Sequence, residues 1–150
     1  MHTRYLRRVT LTLSRPRRAF NIILATGLVH DFAPKHHTRA IPILDRVLSQ
    51  DPDNVACLLA SGYVSQAAGQ WSNAQQRFDR AAELTNGDDD LHLEASEEAG
   101  WCLVHLKKFA EAEQRLRGVL DVVKDMEERD EQKARLSWRV GRCLWDTERS

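Results

Sequence analysis

Gly100-Trp101-Cys102-Leu103-Val104 and Gly141-Arg142-Cys143-Leu144-Trp145 nearly repeat one another 41 residues apart, and Gly62-Tyr63-Val64 lies a further 38 residues upstream. Glycine inside a helix costs about 1 kcal/mol relative to alanine, so its return at one spacing points to a packing need. A period near 40 residues is that of stacked helical repeats, whose units bury their apolar faces only against each other. Such chains present extended surfaces to other molecules rather than enclosed pockets. The sequence therefore predicts a scaffold.

Working outward, Ile41, Leu44, Val47 and Leu48 form one apolar stripe at helical spacing. A cap at Thr38 would place Pro42 in the first turn, where its missing amide has no intrahelical partner. This helix is expected to end near Gln50. Asp51-Pro52-Asp53-Asn54 then makes a turn, with Asp53 or Asn54 capping the next helix through a side-chain oxygen. Helices over 55–68 and 72–84 flank Gly69-Gln70-Trp71 and form an antiparallel pair. Asn86-Gly87 closes that pair, and the acidic run Asp88-Asp89-Asp90 suits the positive end of the following helix dipole. A second pair covers 90–106 and 109–124 around Lys107-Lys108. A charged linker, 125–130, leads to a last helix over 131–146, with 147–150 as a tail. No strand pattern appears, so the fold class is all-α.

The chain has 150 residues, 42% apolar and 29% charged, which is enough for one domain's core and too polar for a membrane span. Its net charge of zero hides two segments. Residues 1–30 hold six arginines and no Asp or Glu, leaving 16 basic against 22 acidic residues in the remainder, a balance of −6. Residues 1–37 are expected to be a basic arm, disordered or not part of the fold, followed by a repeat region over 38–146. The arm's composition is also that of a mitochondrial transit peptide, which keeps a mitochondrial address open beside a cytoplasmic one. Cys57, Cys102 and Cys143 are odd in number, lie in apolar helical patterns and lack CxxC spacing. They read as buried thiols of a reducing compartment.

Aligned, the pairs give a register that resembles the tetratricopeptide repeat, a helix-turn-helix unit of about 34 residues. Leu58, Gly62, Gly69, Trp71, Ala74, Phe78 and Ala81 occupy signature positions in one unit, and Gly100, Phe109, Ala112, Leu116 and Val119 in the next. Lys107 stands where the turn glycine would. The expected architecture is a helical solenoid of two complete units flanked by half units. In it, Gly62, Gly100 and Gly141 admit the facing helix, and Phe78 and Leu116 fill the gap.

The resemblance implies a groove lined by the first helix of each unit. It carries over Leu59, Tyr63 and Gln66; Glu94, Glu97, Trp101, Val104 and His105; and Arg135, Trp138, Arg142 and Trp145. From these, the candidate partner-binding set is Tyr63, Glu97, Trp101, His105, Arg135, Trp138, Arg142 and Trp145. Aromatic and arginine side chains anchor interfaces, so Trp101, Trp138, Arg142 and Trp145 lead it. The tryptophans also read as core between repeats, Trp138 and Trp145 more so than Trp101. Arg135 and Arg142 could clamp a carboxylate, but Glu94 and Glu97 would oppose an acidic tail.

No HExxH, paired Cys/His spacing, Walker loop, GxGxxG or GxSxG occurs, so no enzyme, cofactor or metal site is expected. The arginines near the N-terminus lack the aromatic interleaving of a single-strand binding surface, so no direct nucleic-acid site is expected.

Three segments carry a narrower resemblance: Ala40-Ile41-Pro42-Ile43-Leu44, Asp51-Pro52-Asp53-Asn54-Val55-Ala56-Cys57-Leu58, and Trp138-Arg139-Val140-Gly141-Arg142-Cys143-Leu144-Trp145. They are similar to the tetratricopeptide scaffold subunits of the fungal superkiller (Ski) complex. That resemblance implies a cytoplasmic scaffold holding a DExH-type RNA helicase and WD-repeat subunits, and passing messenger RNA 3′ end first to the exosome. Those scaffolds are far longer, so this chain is expected to be a fragment. Repeat ends without polar caps also predict self-association.

Overall fold

The computed structural model describes residues 16–30, 36–86 and 89–149. Seven helices lie in them: α1 (Pro16–His30), α2 (His37–Gln50), α3 (Val55–Ala67), α4 (Trp71–Glu83), α5 (Asp90–His105), α6 (Phe109–Val123) and α7 (Asp130–Arg149). No strand occurs among the described residues. No helix among them is long and apolar enough to cross a membrane. Each helix packs on its neighbours in sequence, giving the expected helical solenoid.

Turn chemistry fixes the pairs. Below α3, the Gly69 amide donates to the Gln66 carbonyl (2.9 Å) and the Gln70 amide to that of Ser65 (2.8 Å), with Gly69 at φ +75°. This closes the helix end with a left-handed residue. The α5–α6 turn repeats it, the Lys107 amide donating to Val104 (3.0 Å) and the Lys108 amide to Leu103 (2.9 Å). Here Lys107 itself takes φ +62°, a conformation that costs a non-glycine residue about 1 kcal/mol. Asn54 caps α3 by accepting from the Cys57 amide (3.1 Å), and Asp89 caps α5 by accepting from Leu91 (3.1 Å).

The glycine crossings form as expected in the two complete units. A Cβ at Gly62 would lie 2.7 Å from the Phe78 ring, and one at Gly100 would lie 2.9 Å from Leu116 Cγ. Phe78 and Leu116 are fully buried at the centres of their pairs. Gly141 has nothing within 4 Å of that position. Two apolar clusters result, one from α1 through α5 and one from α5 through α7. The α5 helix divides its faces between them: Ala95, Ala99 and Cys102 join the first, Leu93, Leu103 and Val104 the second. All three cysteines are buried, and none of them forms a disulfide.

Four expectations need correction. The boundary at residue 37 is displaced, because α1 places Ala25, Leu28 and Val29 in the first cluster against Ala40, Leu44, Val47 and Leu48. The helix from Thr38 thus has a partner in front of it. Residues 1–15, with Arg4, Arg7, Arg8 and Arg15, lie outside the described residues, as do Gly87 and Asp88. Second, Thr38 is not the cap of α2: the helix begins at His37, which moves Pro42 into the second turn on the solvent side. Third, Ile41 is exposed and Ala40 takes its place in the stripe, a rotation that follows from packing on α1. Fourth, 147–149 is no tail but the last turn of α7, where Thr147 Oγ1 donates to the Cys143 carbonyl (2.7 Å).

Candidate functional site

The first helices α3, α5 and α7 stand side by side, joined by a ladder of polar side chains. At the α3–α5 joint, Tyr63 Oη donates to Glu94 Oε1, and Gln66 Nε2 donates to Glu98 Oε2 (3.0 Å). Tyr63 also meets Phe78 edge-on (5.2 Å between centroids) and touches His30 of α1 the same way (5.5 Å). Burial, then the Glu98 charge and the hydrogen bond to Glu94, hold its phenol well above the usual tyrosine value. Burial also pushes the neighbouring Cys102 thiol up to about 11. A neutral phenol is therefore a fixed donor across this joint.

The α5–α7 joint is built from charge. Glu97 is only 1% exposed, yet both its oxygens are satisfied. Arg135 donates through Nε to Oε2 (2.6 Å) and through Nη2 to Oε1 (2.9 Å), while Arg139 Nη1 donates to Oε2 (2.7 Å). Arg139 also reaches Glu98 Oε1 (3.2 Å). Removing a carboxylate from water is costly, and only this forked, multiple pairing offsets it. The hydrogen bond to Glu97 holds the Arg135 guanidinium above its ordinary value.

Beside this network runs an aromatic ledge. Trp71, at the start of α4, stacks flat on His105 (3.6 Å, 2° between planes). His105 meets Trp101 edge-on (4.9 Å), and Trp101 leans on Trp138 (5.6 Å). The Arg139 guanidinium lies 4.7 Å above the Trp101 ring, an arrangement in which the ring's negative face attracts the cation. Burial, then Arg142 and Arg139, keep the His105 imidazole below the usual histidine value, so the ring stays neutral and stackable. Trp138 remains 59% exposed at the ledge's end. Further along α7, Arg142 pairs with Asp146 (2.8 Å), and Arg149 covers one face of Trp145, itself 57% exposed.

The candidate residues therefore divide. Tyr63, Glu97 and Arg135 hold one another's helices together, so Arg135 is not a free carboxylate clamp and Glu97 is not a bare negative charge. Trp101, His105 and Trp138 come together in the ledge, and Arg142 and Trp145 extend the same side of α7. Leu59 and Val104 are buried. Sequence reasoning missed Arg139 as the centre of the α5–α7 joint and Trp71 as the ledge's first member. The signal for Arg139 was there: Glu97-Glu98 precedes Arg135 and Arg139 by about one repeat, opposite charges at the spacing that puts neighbouring first helices in contact. Among the described residues, no group of three or more His, Cys, Asp or Glu is placed to hold a metal ion.

Residues 32–96, from α2 into α5, match the family described as tetratricopeptide repeat. With paired helices, left-handed turns and glycine crossings in register, this chain folds as a tetratricopeptide-type helical solenoid. Superkiller protein 3 of Saccharomyces cerevisiae is 27% identical to it over 111 residues. That alignment takes in 74% of this chain and 8% of the yeast protein, so the chain spans less than a tenth of that relative's length. Tetratricopeptide repeats mediate protein–protein interactions.

Proposed function

We propose that this tetratricopeptide-repeat chain is a non-enzymatic scaffold that binds partner proteins on the ledge formed by Trp71, His105, Trp101 and Trp138 and continued by Arg142 and Trp145. The observation that carries this reading is the exposure of Trp138 and Trp145 on a face whose other large groups are paired. Rigid aromatic rings bury much area at little conformational cost, which suits them to anchor a partner. By similarity to superkiller protein 3, the assembly is of the Ski type, acting in the cytoplasm in exosome-dependent 3′–5′ mRNA decay. Its partners are then a DExH-type RNA helicase and WD-repeat subunits.

Affinity capture followed by mass spectrometry tests this, comparing the chain with a Trp101→Ala/Trp138→Ala variant of unchanged helix content. Helicase and WD-repeat subunits recovered by the chain and lost from the variant support both the surface and the assembly. Recovery of neither by the chain rejects the Ski assignment; equal recovery by both rejects the ledge. A fluorescent fusion with and without residues 1–30 checks the address: mitochondrial signal that depends on those residues would replace the cytoplasmic proposal.

A further inference from the structure

The gaps between second helices are closed differently along the array. In α4 Asp79 follows the buried knob Phe78, and in α6 Arg115 precedes the knob Leu116. These two side chains pair across the α4–α6 gap, and Gln75 Nε2 donates to the other oxygen of Asp79 (3.3 Å). The α2–α4 gap carries the same two groups at the same repeat positions: Asp45 follows Leu44, which is buried in α2, and Arg77 precedes Phe78. Here the pair is not made. Neither side chain forms a hydrogen bond or ion pair among the described residues, and an open cavity of about 330 Å³ lies between α2 and α4, at the lower end of the range for ligand sites. Ser61 and Ser65 of α3 form its floor beside Leu44 and Val64, and Asn73 and Gln76 flank it on α4. None of these four polar side chains makes a hydrogen bond among the described residues. A second hollow, lined by Pro52, Asp53, Leu58 and Arg80, shares the wall of Gln76 and Arg77 and extends the groove along α4. In it Arg80 is already held by Asp53 (2.7 Å) and Glu83 (3.0 Å), which leaves Arg77 as the uncommitted cation of that wall.

These groups define the ligand's chemistry. A side-chain amide offers a donor and an acceptor together, which is the pattern of a peptide unit, and Asn73 and Gln76 stand three residues apart on one face of α4 with Arg77. Asp45 on the α2 wall calls for a cation and Arg77 for an anion, so a ligand of either charge alone would meet one of them as a like charge. A groove running over two hollows suits a chain better than a compact molecule. We propose that the α2–α4 groove binds an extended peptide segment of a partner protein that carries a basic and an acidic side chain, the first on Asp45 and the second on Arg77, with Asn73 and Gln76 on its backbone. The peptide supplies in trans the charge bridge that Arg115 and Asp79 make within the chain. Because Trp71 stacks on α5 whereas this groove lies on the flank of α4 turned to α2, the site is separate from the aromatic ledge.

Fluorescence anisotropy tests this with the full chain and labelled, end-blocked octapeptides that hold one Lys and one Glu among Ser and Leu at varied spacing. At least one spacing should bind, and replacing its Lys or its Glu by Gln should weaken binding by about tenfold. Asp45→Asn should remove the preference for Lys and keep that for Glu, and Arg77→Gln should do the reverse. Both residues are exposed, so neither variant should alter helix content. The proposal is overturned if no peptide binds up to about 1 mM, or if binding is indifferent to both substitutions. Loss of binding in a Trp101→Ala/Trp138→Ala variant of unchanged helix content also overturns it, since the peptide would then lie on the ledge. A double-mutant cycle on stability covers the remaining case: the two substitutions should add in the free chain, whereas coupling between them would mean that Asp45 and Arg77 pair with each other and leave no charge for a ligand. Failure on any of these counts leaves the ledge proposal standing.

Discussion

The two complete units and α7 present the same glycine at the same repeat position in opposite surroundings. In α3–α4 and α5–α6 the glycine is pressed under a buried knob, and the conspicuous polar groups are tied across to the next helix. In α7 the glycine is open, and two tryptophans and a leucine stand in solvent. A given residue type thus has one meaning inside the array and another at its edge. Side chains between first helices hold the solenoid together, whereas Trp138, Leu144 and Trp145 of α7 stand exposed.

That contrast can be tested by mutation, beginning where the structure is most closed. Glu97→Ala should destabilise most, by about 2–4 kcal/mol, because it leaves Arg139, only 12% exposed, with the longer Glu98 contact alone among carboxylates, while the half-exposed Arg135 can turn to water. Chemical denaturation reads this as a lower midpoint. Gly62→Ala comes next, at about 1–3 kcal/mol, since the new methyl meets a wedged aromatic ring; Gly100→Ala should cost less, because Leu116 can change rotamer. Tyr63→Phe should cost about 1 kcal/mol at neutral pH. It should also flatten the alkaline limb of the stability profile.

The sign of that limb follows from Tyr63 and Cys102, with burial raising the Cys143 thiol in the same direction. A thiol and a phenol that ordinarily titrate at 9.0 and 10.0 keep their protons longer at Cys102 and Tyr63 than in the unfolded chain. The unfolded state therefore loses protons first as the pH climbs past about 9, and stability falls there. Below that pH both groups are protonated in either state and their contribution is constant. Thermal melts between pH 7 and 11 check this.

The smallest effects belong to α7. Gly141→Ala should stabilise dilute protein by about 0.5–1 kcal/mol, the reverse of the same change at Gly62. Trp138→Ala should leave the unfolding free energy within about 1 kcal/mol of the parent while reducing partner capture. Should Gly141→Ala prove as costly as Gly62→Ala, the contrast between the closed units and α7 would collapse.

The fold was largely legible because its signals are local or strictly periodic. Gly62 and Phe78, or Gly100 and Leu116, are sixteen residues apart in both units, and Asn54 and Asp89 stand where a helix needs a cap. The α1 helix was not legible. Its inward residues include the small Ala25, while Phe20, Ile23 and Leu24 point outward, so its apolar residues show no clean stripe. The site was legible only as a face. Repeat register placed Glu97, Arg135 and Trp101 on the groove side, but whether such a residue meets a ligand or its own neighbour depends on the lateral offset between first helices. No spacing within a single helix encodes that offset. For that reason Glu97 looked like a charge offered to a partner, although it is the most deeply buried charge of the joint.

The Gly62–Phe78 crossing also constrains how the sequence can change over generations. Any side chain at 62 collides with the ring, and shrinking the ring alone opens a void, so each single step is penalised. The pair can drift only in a fixed order, the knob shrinking before the glycine grows. Gly100 with Leu116 stands partway along that route, and Gly141, free of a knob, is the one position of the three where substitution meets no such barrier.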